Sequence, residues 1–125
     1  MIYPGHYDMP PIMKNYPWDF SFNITLDGVP MQLGGYNIKF RVLLSLESEQ
    51  GDALIELTRN PQNGIVVDDD DEEQWVTMSM PRSKTKDLPL GQHCYTIELT
   101  QPDGVLMVIM CGRIRVMPCD GAGGE

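Results

Sequence analysis

Apolar and polar residues alternate along most of this chain, as they do in strands that bury one face. The first regular stretch follows Pro17, where Trp18, Phe20, Phe22 and Ile24 are apolar and the residues between them are polar. A period of two predicts a half-buried strand. The same pattern predicts further strands over residues 38–46, 53–57, 65–67, 74–80, 95–100 and 105–116.

The number and spacing of these segments predict the fold class. They give about seven strands, with a turn every 8–12 residues and no long helix. We therefore expect an all-β fold, an immunoglobulin-like antiparallel β-sandwich, with a single helical turn over residues 82–90 that crosses between the sheets. Trp18 shares the phase of the core residues, Trp75 is out of phase with its apolar neighbours and should be partly exposed, and Lys39 and Arg41 should face solvent.

A hairpin near the C-terminus is the clearest local signal. Residues 101–104, Gln-Pro-Asp-Gly, place a proline with preset φ, an aspartate and a left-handed glycine in the order of a three-residue loop with a bulge. Closure between Gln101 and Val105 would pair Leu99 with Met107, Ile97 with Ile109 and Tyr95 with Cys111. Because the apolar pattern changes phase after Cys111, we also predict a β-bulge at Gly112.

The last strand of this hairpin is apolar on both faces. Leu106, Val108 and Met110 lie opposite polar residues of the preceding strand, yet they are themselves apolar. A strand of this kind usually lies between two packed surfaces. These three residues are therefore candidates for contact with a partner.

The N-terminus is rich in proline and aromatic residues. Proline at this density prevents both a helix and a central strand, so residues 1–16 are expected to form an extended arm. The arm is too apolar for a purely solvated tail and should lie on its own domain or on a neighbouring subunit, although a flexible terminus is the alternative. Its candidate contact residues are Tyr3, Tyr7, Ile12 and Tyr16. The sandwich domain then spans residues 17–118, and a flexible glycine-rich tail spans residues 119–125.

Composition excludes several classes of protein. The chain has 125 residues, which suits one domain, and a net charge of −9, so nucleic acid is not an expected partner. No apolar run approaches the roughly 18 residues of a membrane span, and the N-terminus lacks the features of a signal peptide. The three cysteines, Cys94, Cys111 and Cys119, match no metal motif and fit a reducing compartment. We therefore expect synthesis in a cytoplasm and no membrane partner.

No set of catalytic residues can be assembled from the sequence. The histidines are His6 in the arm and His93, which we interpret as a half-exposed strand residue, and neither belongs to a nucleophile motif. The acidic run at residues 68–73 should be a solvated loop, since it lacks the spaced ligands of a calcium site. Whether that run binds a cation stays open. We expect a protein that is not an enzyme and has no cofactor.

The order of the turns and core residues resembles a known group. Residues 18–42, WDFSFNITLDGVPMQLGGYNIKFRV, and residues 75–116 carry the patterns DG-x-P-x-x-L-x-G-Y, T-x-x-L-x-x-G-x-x-x-Y-x-x-x-L-x-x-P-D-G and G-x-x-x-V. In this respect the chain is similar to small tailed-bacteriophage virion proteins related to the N-terminal immunoglobulin-like domain of the siphophage baseplate upper protein. The matching positions are Asp27, Gly28, Pro30, Leu33, Gly35, Tyr36, Thr85, Leu88, Gly91, Tyr95, Leu99, Pro102, Asp103, Gly104, Gly112 and Val116.

The resemblance implies a non-enzymatic structural module of a virion, made in the host cytoplasm. Such a module would dock on other virion proteins in a tail, baseplate or neck, in several symmetric copies, often where a fibre attaches. Two alternatives stay open. One is a capsid decoration protein, and the other is a carbohydrate-binding module that uses Trp75.

Overall fold

A computed structural model describes residues 5–6, 8–26, 28–43, 53–60, 62–68 and 74–118. The expected tail at residues 119–125, Leu44 and Leu46 of the expected second strand, and all but Asp68 of the acidic run lie outside this part. The elements in chain order are β1 (Gly5–His6), β2 (Ile12–Met13), β3 (Trp18–Phe22), β4 (Thr25–Leu26), β5 (Val29–Pro30), β6 (Asn37–Leu43), β7 (Ala53–Arg59), β8 (Gly64–Asp68), β9 (Trp75–Met80), α1 (Arg82–Thr85), β10 (Gly91–Thr100) and β11 (Leu106–Met117).

The prediction of an all-β chain is confirmed, whereas the immunoglobulin-like sandwich is not. Most of the described strands follow one hydrogen-bonded path, β1-β11-β10-β6-β7-β8-β9-β3, and β2 also pairs with β11. This single sheet is nearly barrel-shaped. The short hairpin β4-β5 stands apart from it. Pairing is antiparallel except where β1 and β2 meet β11 and where β8 meets β7.

The core lies on one face of the sheet, and the neighbouring long strands β6 and β10 each contribute three fully buried apolar side chains to it. Alternate residues of these long strands are fully buried, as their period of two predicts. Phe40 stacks between Trp18 and Tyr95, with ring centroids 5.6 and 5.8 Å away. Trp18 is therefore a core residue, as expected. α1 also agrees with the single helical turn predicted there, and it buries Thr85 at one end of the sheet.

The predicted loop closure of the β10–β11 hairpin is confirmed, because the Gln101 N–H donates to the Val105 carbonyl at 2.8 Å. The predicted bulge position is wrong. Leu99 does pair with Met107, as predicted. The register then shifts between Glu98 and Ile97, so Ile109 is the extra residue of β11 and Ile97 pairs with Met110. Beyond the bulge every predicted partner moves by one. Tyr95 therefore lies opposite Gly112 instead of Cys111.

The same shift changes which cysteines share a face. Cys94 pairs with Arg113 and Thr96 pairs with Cys111, so both thiols lie on the outer face of the sheet. The register expected from the sequence, with Tyr95 opposite Cys111, implies that Cys94 faces away from Cys111, and this implication is wrong. Both are free and half-buried.

Loops that are distant in sequence meet at the end of the sheet near the hairpin turn. A Cβ on Gly35, whose φ is +80°, would lie 3.1 Å from the Pro102 ring. Gln74 accepts the Leu33 N–H through Oε1 at 2.8 Å, and Arg59 Nη1 donates to the Leu33 carbonyl at 2.6 Å. These contacts fix the chain between β5 and β6 against the rest of the sheet.

At Gly64 the fold leaves no room for a side chain. Its φ is +104°, and a Cβ would lie 2.7 Å from the Ser79 carbonyl oxygen and 2.8 Å from Leu57. Gly91 has a similar φ of +117° but open space around it. We predict that Gly91→Ala loses about 1–2 kcal/mol of unfolding free energy from backbone strain alone. Gly64→Ala should lose about 1–3 kcal/mol more from overpacking.

Urea unfolding of the two variants, followed by circular dichroism, measures this difference. Equal losses for Gly64→Ala and Gly91→Ala would show that β8 does not pack against β9 and Leu57 as described.

Candidate functional site

The side chains that could bind a metal ion are dispersed over the described residues. Within them, no group of three or more His, Cys, Asp or Glu side chains is placed to hold a metal ion. The interpretation of His93 as half-exposed is wrong, because its side chain is buried and its Nε2 lies 2.8 Å from the Pro89 carbonyl oxygen. Its Nδ1 is buried without a hydrogen-bond partner. His93 is therefore a packed core residue.

An open pocket of about 340 Å³ lies beside the start of β3. Ser79 supplies the one hydroxyl in its lining, and Asp19 and Lys84 supply the charges. Lys84 Nζ donates to Asn63 Oδ1 at 3.3 Å. No histidine is among the residues that line the pocket.

Arg41 is buried on the outer face of the sheet, which contradicts the expectation that it faces solvent. Its guanidinium lies between two carboxylates on the flanking strands. Nε is 3.3 Å from Glu56 Oε2, and Nη1 is 3.9 Å from Glu98 Oε2. Glu98 is only 12% exposed, so this charge cluster is largely withdrawn from water on that side. The sequence pattern missed this because a period of two identifies the face but not what covers it.

The described residues of the N-terminal segment lie along the edge of β11. Gly5 pairs with Met110 and Ile12 with Val116, both in parallel. Between these pairs the Met9 N–H donates to the Arg113 carbonyl at 2.9 Å. A separate arm over residues 1–16 is therefore not confirmed, since the described residues of this segment are part of the sheet.

The four candidate contact residues of this segment differ in their burial. Ile12 is fully buried in the core, so it binds the chain's own sheet and is not available at the surface in this conformation. Tyr16 is 55% exposed. Tyr3 and Tyr7 lie outside the described residues.

The three candidates on β11 are separated by the bulge at Ile109. Leu106 is 55% exposed and Val108 is half-buried, whereas Met110 packs against the core because the shifted register pairs it with Ile97. Val105, next to the loop, is also exposed. The apolar surface at this end is therefore Val105, Leu106 and Val108, which we call the hairpin-end surface.

A second exposed apolar group lies at the opposite end of β11. Met13 pairs with Met117, and the pairing of Gly91 with Val116 places Leu90 beside Met117. Met13 and Leu90 are exposed, and Tyr16 follows Met13 directly. We call Met13, Tyr16, Leu90 and Met117 the arm-end surface. The sequence analysis did not identify Met13 and Leu90 as exposed. Their positions could have indicated it, because Met13 alternates with the buried Ile12 and Leu90 is out of phase with the core residues of β10.

Trp75 is 38% exposed, which confirms its expected partial exposure. Its cross-strand partner is Asp68, and the exposed Val66 lies on the same face one pair away. The side chains of Trp75, Asp68 and Val66 therefore share one face of the β8–β9 pair. No second exposed tryptophan accompanies it, since Trp18 is in the core.

No protein-family profile matches this chain. No curated protein matches it significantly either. In the described part of the structure, no helix is long and apolar enough to cross a membrane.

Burial of Ile12 ties the N-terminal segment to the stability of the whole domain. We predict that Ile12→Ala lowers the unfolding free energy by about 2–5 kcal/mol, the usual range for a buried large-to-small change. The adjacent variant Met13→Ala, at a residue 36% exposed, should cost less than about 1 kcal/mol. Chemical denaturation of both variants is the measurement. Comparable small losses would mean that the segment does not contribute to the core.

Removal of the Arg41 charge should leave Glu98 without its counter-ion in a water-poor environment. We predict that Arg41→Met destabilises the domain by about 3–5 kcal/mol at neutral pH. Glu56 is 44% exposed, so Glu56→Gln should cost about 1 kcal/mol or less. Thermal and urea unfolding of the two variants would test this, and a loss for Arg41→Met as small as that for Glu56→Gln would contradict it.

Proposed function

We propose that this chain is a non-enzymatic structural protein of a bacteriophage particle. In this proposal it is a docking or adaptor module of the tail, baseplate or neck that helps attach fibres or other tail components. It would be made in the host cytoplasm and reside in the virion, in several symmetric copies. The relation to the immunoglobulin-like domain of the siphophage baseplate upper protein belongs to this proposal.

The observation that carries the proposal is where the resembling positions lie in the fold. Leu33, Tyr95 and Leu99 are fully buried, and Gly35 and Pro102 bring the loop before β6 against the hairpin turn. Such positions determine a fold and its loop packing, so the resemblance rests on residues that maintain this architecture. It therefore supports a common scaffold, with role inferred by analogy.

The chemistry of the described surface supports a docking role. The hairpin-end surface and the arm-end surface expose apolar side chains at opposite ends of β11, a distribution suited to contact with neighbouring proteins. Tyr16 adds an aromatic residue with a polar tip, a type enriched in protein interfaces. The proposed contact residues of the docking module are therefore Tyr16, Leu106 and Val108 from the sequence. To these we add the exposed residues Val105, Met13 and Leu90.

A capsid decoration protein is the alternative within the same class, and the same surfaces would then lie across capsomers. Quantitative mass spectrometry of purified particles separates the two positions. A copy number near that of the major capsid subunit implies the head, and one near that of a tail ring implies the tail or neck. Absence of the protein from the particles of its own phage would contradict both.

The carbohydrate-binding alternative depends on the patch of Trp75, Val66 and Asp68. Sugar sites on β-sheets use aromatic faces, and this patch offers one. Tryptophan fluorescence titration with a panel of glycans tests it, with Trp75→Ala as the control. A saturable response lost in Trp75→Ala would favour the carbohydrate-binding module.

Charge placed on the hairpin-end surface should block docking without unfolding the domain. We predict that Leu106→Glu folds normally, because the residue is largely exposed, but enters particles at least about tenfold less than the unmodified chain, since burying an unpaired carboxylate opposes association. The matched control is Val29→Glu, at a residue 64% exposed on the separate β4-β5 hairpin.

Complementation of a phage deleted for this gene, followed by immunoblotting of purified particles, gives the measurement. Equal incorporation of Leu106→Glu and Val29→Glu would exclude the hairpin-end surface as a docking site.

A further inference from the structure

The N-terminal segment occupies a complete binding site on β11. Met9 and Ile12 are buried, and backbone hydrogen bonds join Met9 to Arg113 and Lys14 to Met117, each at 2.9 Å. The Asp8 carboxylate accepts the Arg113 N–H at 3.3 Å. The groove therefore recognises this segment through its backbone, through two apolar side chains and through one carboxylate.

Every one of these contacts joins residues 8–14 to the sheet, and none depends on the direct covalent connection between them. An identical segment from a second copy would make the same contacts in the same groove. The difference between the two arrangements then lies only in the connection to β3, which consists of residues 14–17. This is the condition under which two copies of a chain exchange an element.

The connection contains a left-handed residue, a conformation that asparagine adopts more readily than most other non-glycine residues. Asn15 has φ +73° within a tight turn closed by the Tyr16 N–H and the Met13 carbonyl at 3.0 Å. Pro17 follows and restricts the chain further. Opening the turn releases the left-handed conformation of Asn15. A fully extended chain from Met13 to Trp18 spans about 17 Å between the two Cα atoms.

We propose that this segment exchanges between copies, so that residues 8–13 of one chain occupy the β11 groove of a neighbour. The short reach of the connection requires the two domains to pack at their arm ends. That places Met13, Tyr16, Leu90 and Met117 of both copies at the new contact, which explains why apolar side chains are exposed there. The inference holds whether or not the protein belongs to a virion.

Paired cysteines at Met13 and Met117 test the exchange, because these residues are neighbours in the parallel ladder. A chain with Met13→Cys is mixed in urea with a chain carrying Met117→Cys, then refolded at low and high protein concentration and oxidised. Exchange predicts a disulfide-linked mixed dimer that increases with protein concentration. Each variant refolded alone gives the background from Cys94, Cys111 and Cys119.

A chain carrying both substitutions is the control for folding and register. Its two introduced cysteines should form a disulfide within one chain if the segment stays on its own sheet, and between two chains if the segment is exchanged. Failure of that disulfide, or a mixed dimer no more abundant than the background at any concentration, would overturn the proposal. An oligomer that forms without this cross-link would overturn it as well, because its contact would lie elsewhere.

The connection itself gives an independent readout. Asn15→Gly accepts the left-handed turn and should lower the dimer fraction severalfold. Asn15→Val disfavours the turn and should raise the fraction severalfold. Sedimentation velocity of both variants at matched concentrations measures this pair, and equal dimer fractions would contradict a role for the turn.

Discussion

The cover that residues 5–6 and 8–14 provide for the outer edge of β11 is the interaction on which the rest of the structure depends. β11 is the longest of the described strands, and an uncovered apolar edge of that length would offer unpaired backbone groups to any other chain. The parallel pairs at Gly5 and Ile12, with the Met9 hydrogen bond between them, satisfy those groups. They also bring Ile12 into the core beside Val116, so the same contact closes the sheet edge and completes the interior.

The bulge at Ile109 determines what β11 presents on each side. It allows Ile109 and Met110 both to pack against the core, while Leu106 and Val108 before it keep the opposite phase. Beyond it, Gly112 faces Tyr95, the largest fully buried side chain of β10. The edge cover extends over Met110–Met117, and before the bulge Leu106 is exposed and Val108 is half-buried. The inserted residue therefore leaves Leu106 and Val108 on the outer face and places Met110 against the core.

Much of this architecture could be predicted from the sequence, because local patterns determine it. The alternation around Trp18 and Phe40, the Gln101–Val105 loop and the single turn of α1 each follow from a few adjacent residues. The bulge position did not, because a phase change seen after Cys111 can arise from an insertion anywhere upstream within the strand. The burial of Arg41 could not be predicted from the sequence, because its guanidinium is covered by carboxylates from two other strands. The burial of His93 could have been predicted, because His93 has the same phase as Tyr95 and Ile97 in β10.

The course of the N-terminal segment was the least predictable feature. Its prolines favoured an extended chain over a helix, but a parallel pairing between residues about a hundred positions apart leaves no local trace in the sequence. The sequence therefore left open whether the segment lies on its own domain or on a neighbouring subunit. The two arrangements are related physically, since the same groove on β11 can bind the segment of its own chain or that of a second copy.

Amide hydrogen exchange of the full chain, resolved by residue, tests the edge cover most directly. The account predicts that the Met9 and Lys14 amides exchange as slowly as those at the centre of β10, because each donates to a carbonyl of β11. Exchange of these two amides at the rate of an unfolded peptide, with β10 still protected, would contradict it.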